Sequence, residues 1–401
     1  MTSRPVAIAL TCLAVLAVSC SDDGDSAESP SDAPTTPADT TATDETAPPG
    51  ATAPTDTEPT VAPTEPTTAP TEPTAPPTFE VQAWQRIAPG GDCSCADGSE
   101  FAFWERRADP TKVMFYLQGG GACFNEATCK FQGGTYTVQA NEDPSVFNGI
   151  FDAANPENPA ADYSIVYVPY CTGDIHLGDK VTEYSPTLTV RHKGYVNAST
   201  AMQYLVDQYP DADEILVTGI SAGSIPTPLF AGLLSDTYTD ATIRVLADGS
   251  GAYQPTSSGL TGPNGPWGTD AAIPEWPETE GLAPEDFSIP GMFVLAGQHA
   301  PQITFTRHDY AYDEVQGFFM GAVGQGGIDL LESQETNEAL IESEGGIDLA
   351  SYVAPGSQHT VLLDPRFYDE TVNGVRLVDW VADVLSGASV PDVKCEECSP
   401  P

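Results

Sequence analysis

Residues 214–223 read Glu-Ile-Leu-Val-Thr-Gly-Ile-Ser-Ala-Gly, and no other stretch narrows the choice of fold as much. A short strand-forming run, Glu214–Thr218, leads straight into Gly219-Ile220-Ser221-Ala222-Gly223. G-x-S-x-G behind a strand and ahead of a helix-like segment marks a tight strand-to-helix turn. The serine is held there in a strained backbone, with glycine two positions to either side to avoid clashes. Pro226 and Pro228 are awkward for a regular helix, so its first turns are expected to be distorted. The alternative is a simple Gly-Ser turn, but the preceding strand favours Ser221 as a candidate nucleophile.

The rest of the chain alternates in the same way. Val113–Leu117, Ser164–Val168, Glu214–Val217, Ile243–Leu246, Met292–Leu295 and Ile303–Phe305 are short runs rich in β-branched and aromatic residues. Near-continuous apolar runs suit strands buried on both faces of a parallel sheet. Val196–Tyr209 places Ala201, Met202, Leu205 and Val206 at helical spacing, and Val375–Leu385 does the same with Leu377, Val378, Val381 and Val384. The pattern predicts one large α/β domain over 79–401, with a mainly parallel central sheet and flanking helices.

What precedes that domain has another composition. Arg4 and the apolar run Val6–Val18 form an export signal over 1–19, too short to span a bilayer as a mature helix. Ala17-Val18-Ser19-Cys20 resembles a lipobox, so Cys20 is expected to carry a lipid and anchor the chain to the envelope membrane. Ser21–Thr78 is Thr, Pro, Ala and Asp/Glu without an aromatic residue, and repeats Ala-Pro-Thr-Glu-Pro-Thr at 62–67 and 69–74. It cannot bury a core and reads as a disordered, extended stalk over 20–78. The chain's formal net charge is -44, and most of it falls on the domain, where 46 acidic residues face 13 basic ones. Such a field repels polyanions and argues against a nucleic-acid partner.

A serine at such a turn needs oxyanion donors, an imidazole base and an acid to orient it. The N–H of Ala222, next after Ser221, is one expected donor; the others should come from a glycine-rich loop after an earlier strand. Gly119-Gly120-Gly121 follows Val113–Leu117, and no G-x-x-x-x-G-K-[ST] or neighbouring lysine makes it a phosphate loop. Among the five histidines, His359 in Pro355-Gly-Ser-Gln-His359 fits the base best, lying late in the chain and ahead of the last amphipathic helix. Asp248, Asp309 and Asp313 all lie between Ser221 and His359, and spacing does not choose among them. Cys123 and Cys129, six residues apart beside the glycines, are expected to be bonded and to brace that loop. Cys395-Glu-Glu-Cys398 has a zinc-like spacing, but too few histidines are present to complete a site, and no metal or cofactor is expected.

Leu117-Gln-Gly-Gly-Gly-Ala-Cys123, Gly219-Ile-Ser-Ala-Gly223 and Tyr312-Asp-Glu-Val-Gln316 together resemble the pectin acetylesterase family, which includes the animal Notum deacylases. Asp97-Gly-Ser99, Pro169-Tyr-Cys-Thr-Gly-Asp174 and Ala247-Asp-Gly-Ser-Gly251 are similar to further family segments. The resemblance implies an α/β-hydrolase-like fold and hydrolysis of small O-acyl esters, acetyl above all, on a polysaccharide or another extracellular ester. It assigns Ser221 as nucleophile, Asp313 as acid, His359 as base, and Gly120, Gly121 and Ala222 as oxyanion donors. It also pairs Cys95 with Cys171, leaving Cys93, Cys395 and Cys398 to share one further bond. Ala122 departs from the family, where a Trp often stands near the glycines, and so does Gln118, where plant and animal members carry an acid. The expected protein is a monomeric, extracytoplasmic lipoprotein acting on an ester substrate. Its rivals are a non-catalytic glycan-binding lipoprotein and an acyl-protein deacylase.

Overall fold

The computed structural model describes residues 79–398 apart from 141, 256–264 and 283–286. The signal, Cys20 and the stalk therefore lie outside the described residues. Among the described residues thirteen strands run in order: β1 Gln85–Ile87, β2 Phe103–Arg106, β3 Asp109–Leu117, β4 Tyr163–Val168, β5 Lys180–Ser185, β6 Leu188–His192, β7 Glu214–Ile220, β8 Thr242–Asp248, β9 Thr304–Tyr310, β10 Leu349–Ala354, β11 Thr371–Val372, β12 Val375–Arg376 and β13 Val393–Lys394. The helices are α1 Gly194–Gln208, α2 Thr227–Ser235, α3 Ile289–His299, α4 Glu314–Ala322, α5 Leu330–Gly345 and α6 Leu377–Ser386.

Nine strands form one sheet in the order β1-β2-β4-β3-β7-β8-β9-β10-β13. From β4 to β13 every neighbouring pair is parallel, and at one edge β2 alone runs against the sheet, pairing antiparallel with both β1 and β4. The continuous apolar runs follow from burial on both faces. Val113, Phe115 and Leu117 of β3 join a core with α1, α2, α3 and α5, through residues such as Leu205, Phe230, Phe293 and Ile341. Met114 and Tyr116 point the other way, into a core with Trp380 and Val381 of α6 and with Ile150, Phe151 and Leu362 from the loops. Alternation is present, but both sets of side chains are apolar.

Chain order decides where a ligand can enter. β3 lies between β4 and β7, so the chain leaves β3 toward one side and leaves β7 toward the other. A crevice opens at the carboxyl ends of strands where the order reverses in this way, and ligands of open α/β sheets bind there. The glycine loop follows β3 and Ser221 follows β7.

One expected strand is a helix. Met292–Leu295 belongs to α3, capped by the Ser288 hydroxyl, which accepts Gly291 N–H at 3.2 Å, with a proline in its first turn. Met292 and Leu295 pack into the cluster around Trp267 and Trp276, while Phe293 and Val294 face the sheet. A helix covered on opposite sides has no polar stripe, so its run imitates a buried strand. The segment expected as Ile303–Phe305 continues to Tyr310, its second half hidden in sequence by the buried polar residues Arg307, His308 and Asp309. The last helix begins at Leu377, because Val375 and Arg376 pair with Val372 and Thr371. No helix among the described residues is long and apolar enough to cross a membrane.

Candidate active site

β7 delivers Ser221 with φ at +53°, the left-handed region that a side-chain-bearing residue rarely adopts. What holds it there is the close approach of β3. A Cβ on Gly219 would stand 2.5 Å from the Leu117 carbonyl oxygen, and one on Gly223 would collide with that same oxygen. Both flanking glycines are thus required by packing of the turn on the neighbouring strand. Residues 221–223 form a 3-10 turn, closed by Ser224 N–H on the Ser221 carbonyl at 3.0 Å, and α2 starts only at Thr227, with Pro226 at its cap. The expected distortion of the first turns is present.

The glycine loop lies against that turn. A Cβ on Gly119 would come within 2.6 Å of the Ile220 carbonyl oxygen and 2.7 Å of Ser221 Cβ. Thr137 N–H donates to the Gly120 carbonyl at 2.8 Å, while the amides of Gly120, Gly121 and Ala222 donate to no acceptor among the described residues. Unpartnered N–H groups are the kind of donor that can bind an oxyanion. Cys123 is bonded to Cys129, and Trp267 Nε1–H donates to the Cys123 carbonyl at 2.6 Å. Cys123 N–H in turn donates to the Gly173 carbonyl at 2.9 Å, so the loop is braced from three directions. Cys95 pairs with Cys171 and Cys395 with Cys398, and Cys93 is bonded to no other cysteine among the described residues.

His359 stands in the loop after β10. Its Nδ1 lies 2.6 Å from Asp313 Oδ2, and its Nε2 has no partner among the described residues. Two backbone bonds join the segments that carry this pair: Tyr312 N–H to the Gly356 carbonyl at 3.0 Å, and Glu314 N–H to the Ser357 carbonyl at 3.2 Å. Beneath the imidazole is Gly249, where a Cβ would meet the His359 carbonyl oxygen at 2.8 Å. Gly249 follows Asp248, which is in register with Ile220 on the adjacent strand. The loop that carries His359 thus folds over the end of β8, the strand next to the one that ends at Ser221.

Asp313 is fully buried, and four donors surround it. Oδ1 accepts the N–H groups of Val315 at 2.8 Å and Gln316 at 3.0 Å, capping α4, while Oδ2 accepts Gln316 Nε2 at 3.0 Å as well as His359. Asp309 and Asp248 are elsewhere. Asp309 Oδ1 takes Gly251 N–H at 2.8 Å and Gln316 Nε2 at 3.0 Å, and burial raises its pKa despite nearby Arg307. Asp248 faces His308 and two backbone amides.

The other histidines are differently engaged. His299 stacks on Trp276 between Asp236 and Glu278. His176 Nε2 meets the Gln118 carbonyl at 2.8 Å, and His192 meets the Thr172 carbonyl and Tyr184 hydroxyl. Burial lowers the pKa of each of these two to about 4. His308 is held on both nitrogens. Gln316, quoted above only as the end of a motif, bridges Asp309 and Asp313, a contact that the sequence hid. Its position three after Asp313, inside the first turn of a helix capped by that acid, is the signal that could have revealed it.

The sheet, the reversal of strand order and the strained serine turn define an α/β-hydrolase-like protein. The pectinacetylesterase family model matches residues 87–260. Palmitoleoyl-protein carboxylesterase NOTUM of Schmidtea mediterranea is 28% identical over 145 residues, 33% of this chain and 26% of that protein. The chain thus spans about a quarter of the length of that curated relative. The structure of the Wnt deacylase Notum from Drosophila superimposes with a TM-score of 0.55 at 17% identity, covering 81% of this chain and 98% of that one. Over residues 87–260 the chain is similar to the pectin acetylesterase/Notum family, and its fold is Notum-like. The family model covers the glycine loop and Ser221 but ends before Asp313 and His359.

Proposed function

We propose that this chain is a serine carboxylesterase that removes small O-acyl groups, acetyl above all, from an extracellular ester such as an acylated polysaccharide. The observation that carries the reading is His359, with Asp313 on one nitrogen and the other unpartnered, in a loop folded over Gly249 at the end of β8, the strand next to the one that ends at Ser221. His359 Nε2 takes the Ser221 proton as Oγ attacks the ester carbonyl. Asp313 holds the tautomer with a proton on Nδ1 and stabilises the imidazolium that forms. The amides of Gly120, Gly121 and Ala222 bind the oxyanion, each such donor being worth about 3–4 kcal/mol in comparable sites. The alcohol leaves with the proton from Nε2, and a water activated by the same nitrogen then hydrolyses the acyl-serine.

Export, with acylation at Cys20, belongs to the same proposal; three disulfides suit an oxidising compartment. A fluorophosphonate probe should label the mature protein, and Ser221→Ala should abolish both labelling and hydrolysis of short p-nitrophenyl esters. Folded protein that neither labels nor hydrolyses would point instead to a glycan-binding module. Metabolic labelling with a fatty-acid analogue should tag the wild type and leave Cys20→Ser untagged.

A further inference from the structure

The site contains a second acid–imidazole pair that takes no part in the proposed chemistry. Asp248 Oδ1 lies 2.8 Å from His308 Nδ1, and His308 Nε2 lies 2.8 Å from Glu370 Oε1. Glu370 Oε2 accepts the Tyr310 hydroxyl proton. Asp248 and His308 are completely buried. With an acid on each nitrogen, this imidazole has no free lone pair and cannot serve as a base.

Its purpose is legible from the other oxygen of Asp248. Oδ2 accepts the N–H of Val361 at 2.8 Å and of Leu362 at 2.9 Å, two successive amides that begin two residues after His359. The same short segment is tied by Arg366 NH2 to the Thr360 carbonyl at 3.3 Å and by Ile150 N–H to the Leu362 carbonyl at 2.8 Å. We propose that Asp248 is a positioning residue for His359: it clamps the descending arm of the histidine loop to the end of β8, while Asp313 orients the ring from the opposite side. One acid sets where the imidazole backbone stands, and the other sets which way the ring faces.

His308 keeps the clamp charged. Burial alone would lower its pKa, but Asp248 and then Glu370 outweigh that and raise it to about 10, so the imidazolium is present at neutral pH. A carboxylate paired with a cation and two amides is a stiffer anchor than a neutral acceptor, because charge-assisted bonds are roughly twice as strong.

The inference rests on the proposed esterase reading, so its test includes a measurement that needs no turnover. In the full-length protein, Asp248→Ala should lower kcat for a short p-nitrophenyl ester by about 10²-fold while KM changes little, the signature of a displaced catalytic group. Amide exchange at Val361 and Leu362 should accelerate while β7 and β8 stay protected. Asp248→Asn, whose carbonyl oxygen can still accept both amides, should restore most of the lost kcat and the protection. Wild-type kcat in a folded Asp248→Ala protein would overturn the proposal. Should that variant not fold, Asp248→Asn decides: protected amides with kcat near wild type support the clamp, and protected amides with kcat as low as in His359→Ala overturn it. Released loop amides in Asp248→Ala, beside a wild type inert toward every ester, would sink the esterase reading and leave the clamp standing.

Discussion

Asp313 divides its carboxylate between two tasks: one oxygen caps the helix that starts at Glu314, and the other receives His359 Nδ1 at 2.6 Å. The cap fixes the carboxylate's rotation, so the geometry of the imidazole is inherited from a helix terminus. An acid with all its lone pairs engaged has little freedom to turn away from its partner.

Asp313→Asn should therefore lower kcat by about 10⁴-fold while the protein remains folded, because the amide can stabilise neither the required tautomer nor the imidazolium. Asp309→Asn retains an acceptor for Gly251 N–H and Gln316 Nε2 and should stay within about tenfold of wild type. Steady-state kinetics with thermal unfolding as a control check this. An inactive, folded Asp309→Asn beside an active Asp313→Asn would reverse the assignment of the acid.

Gln316 is fixed in one orientation: its Oε1 accepts Ala252 N–H at 2.9 Å, so its Nε2 must donate to Asp309 and Asp313. Gln316→Glu would set a third acid among two buried carboxylates and delete both donated bonds. Stability should fall by about 1–3 kcal/mol or more, and kcat should fall with it. Chemical denaturation gives the first quantity and initial rates the second; an unchanged midpoint would show that Gln316 bridges nothing that matters.

Gly119→Ala tests the contact between the glycine loop and the nucleophile turn. Its new methyl would stand 2.6 Å from the Ile220 carbonyl oxygen and 2.7 Å from Ser221 Cβ, neither of which is a flexible side-chain end. Relief requires the loop or the turn to move, and a displacement near 1 Å is worth about 10² in rate. Fluorophosphonate labelling kinetics should slow to match. Gly133→Ala, where a Cβ meets nothing within 4 Å, is the control for space, although its φ of +73° adds some strain.

Stability should depend on pH through His308. Its folded pKa of about 10 lies above the unfolded value near 6.5. The folded state therefore holds an extra proton between those limits. The stabilisation is complete below about pH 6.5 and is lost as pH rises toward 10. His176 and His192 act oppositely on the acid side: with folded values of about 4, they lose stability as pH falls from about 6.5 to 4. Unfolding free energy measured across pH 4–10 should show both limbs, and His308→Gln should flatten the alkaline one.

The sequence by itself determined the strand-to-turn unit at Glu214–Gly223, the glycine loop after Leu117, the α/β alternation and the Cys123–Cys129 bond. Each is local: a few adjacent residues carry both the backbone constraint and its cause, so pattern and spacing suffice. Among Asp248, Asp309 and Asp313, spacing did not choose and only the family resemblance favoured Asp313; the tertiary structure shows that Asp313 is the one that meets His359. All three lie at or just beyond carboxyl ends of parallel strands, so their spacing is equivalent, and which one meets His359 depends on how the loops after β9 and β10 fold over one another. The same reason hid α3, whose burial on opposite sides erased its periodicity, and the inner half of β9, where Arg307, His308 and Asp309 are paired by groups up to 62 residues away. A buried polar residue looks like surface until its partner is known, and the partner is supplied by the fold.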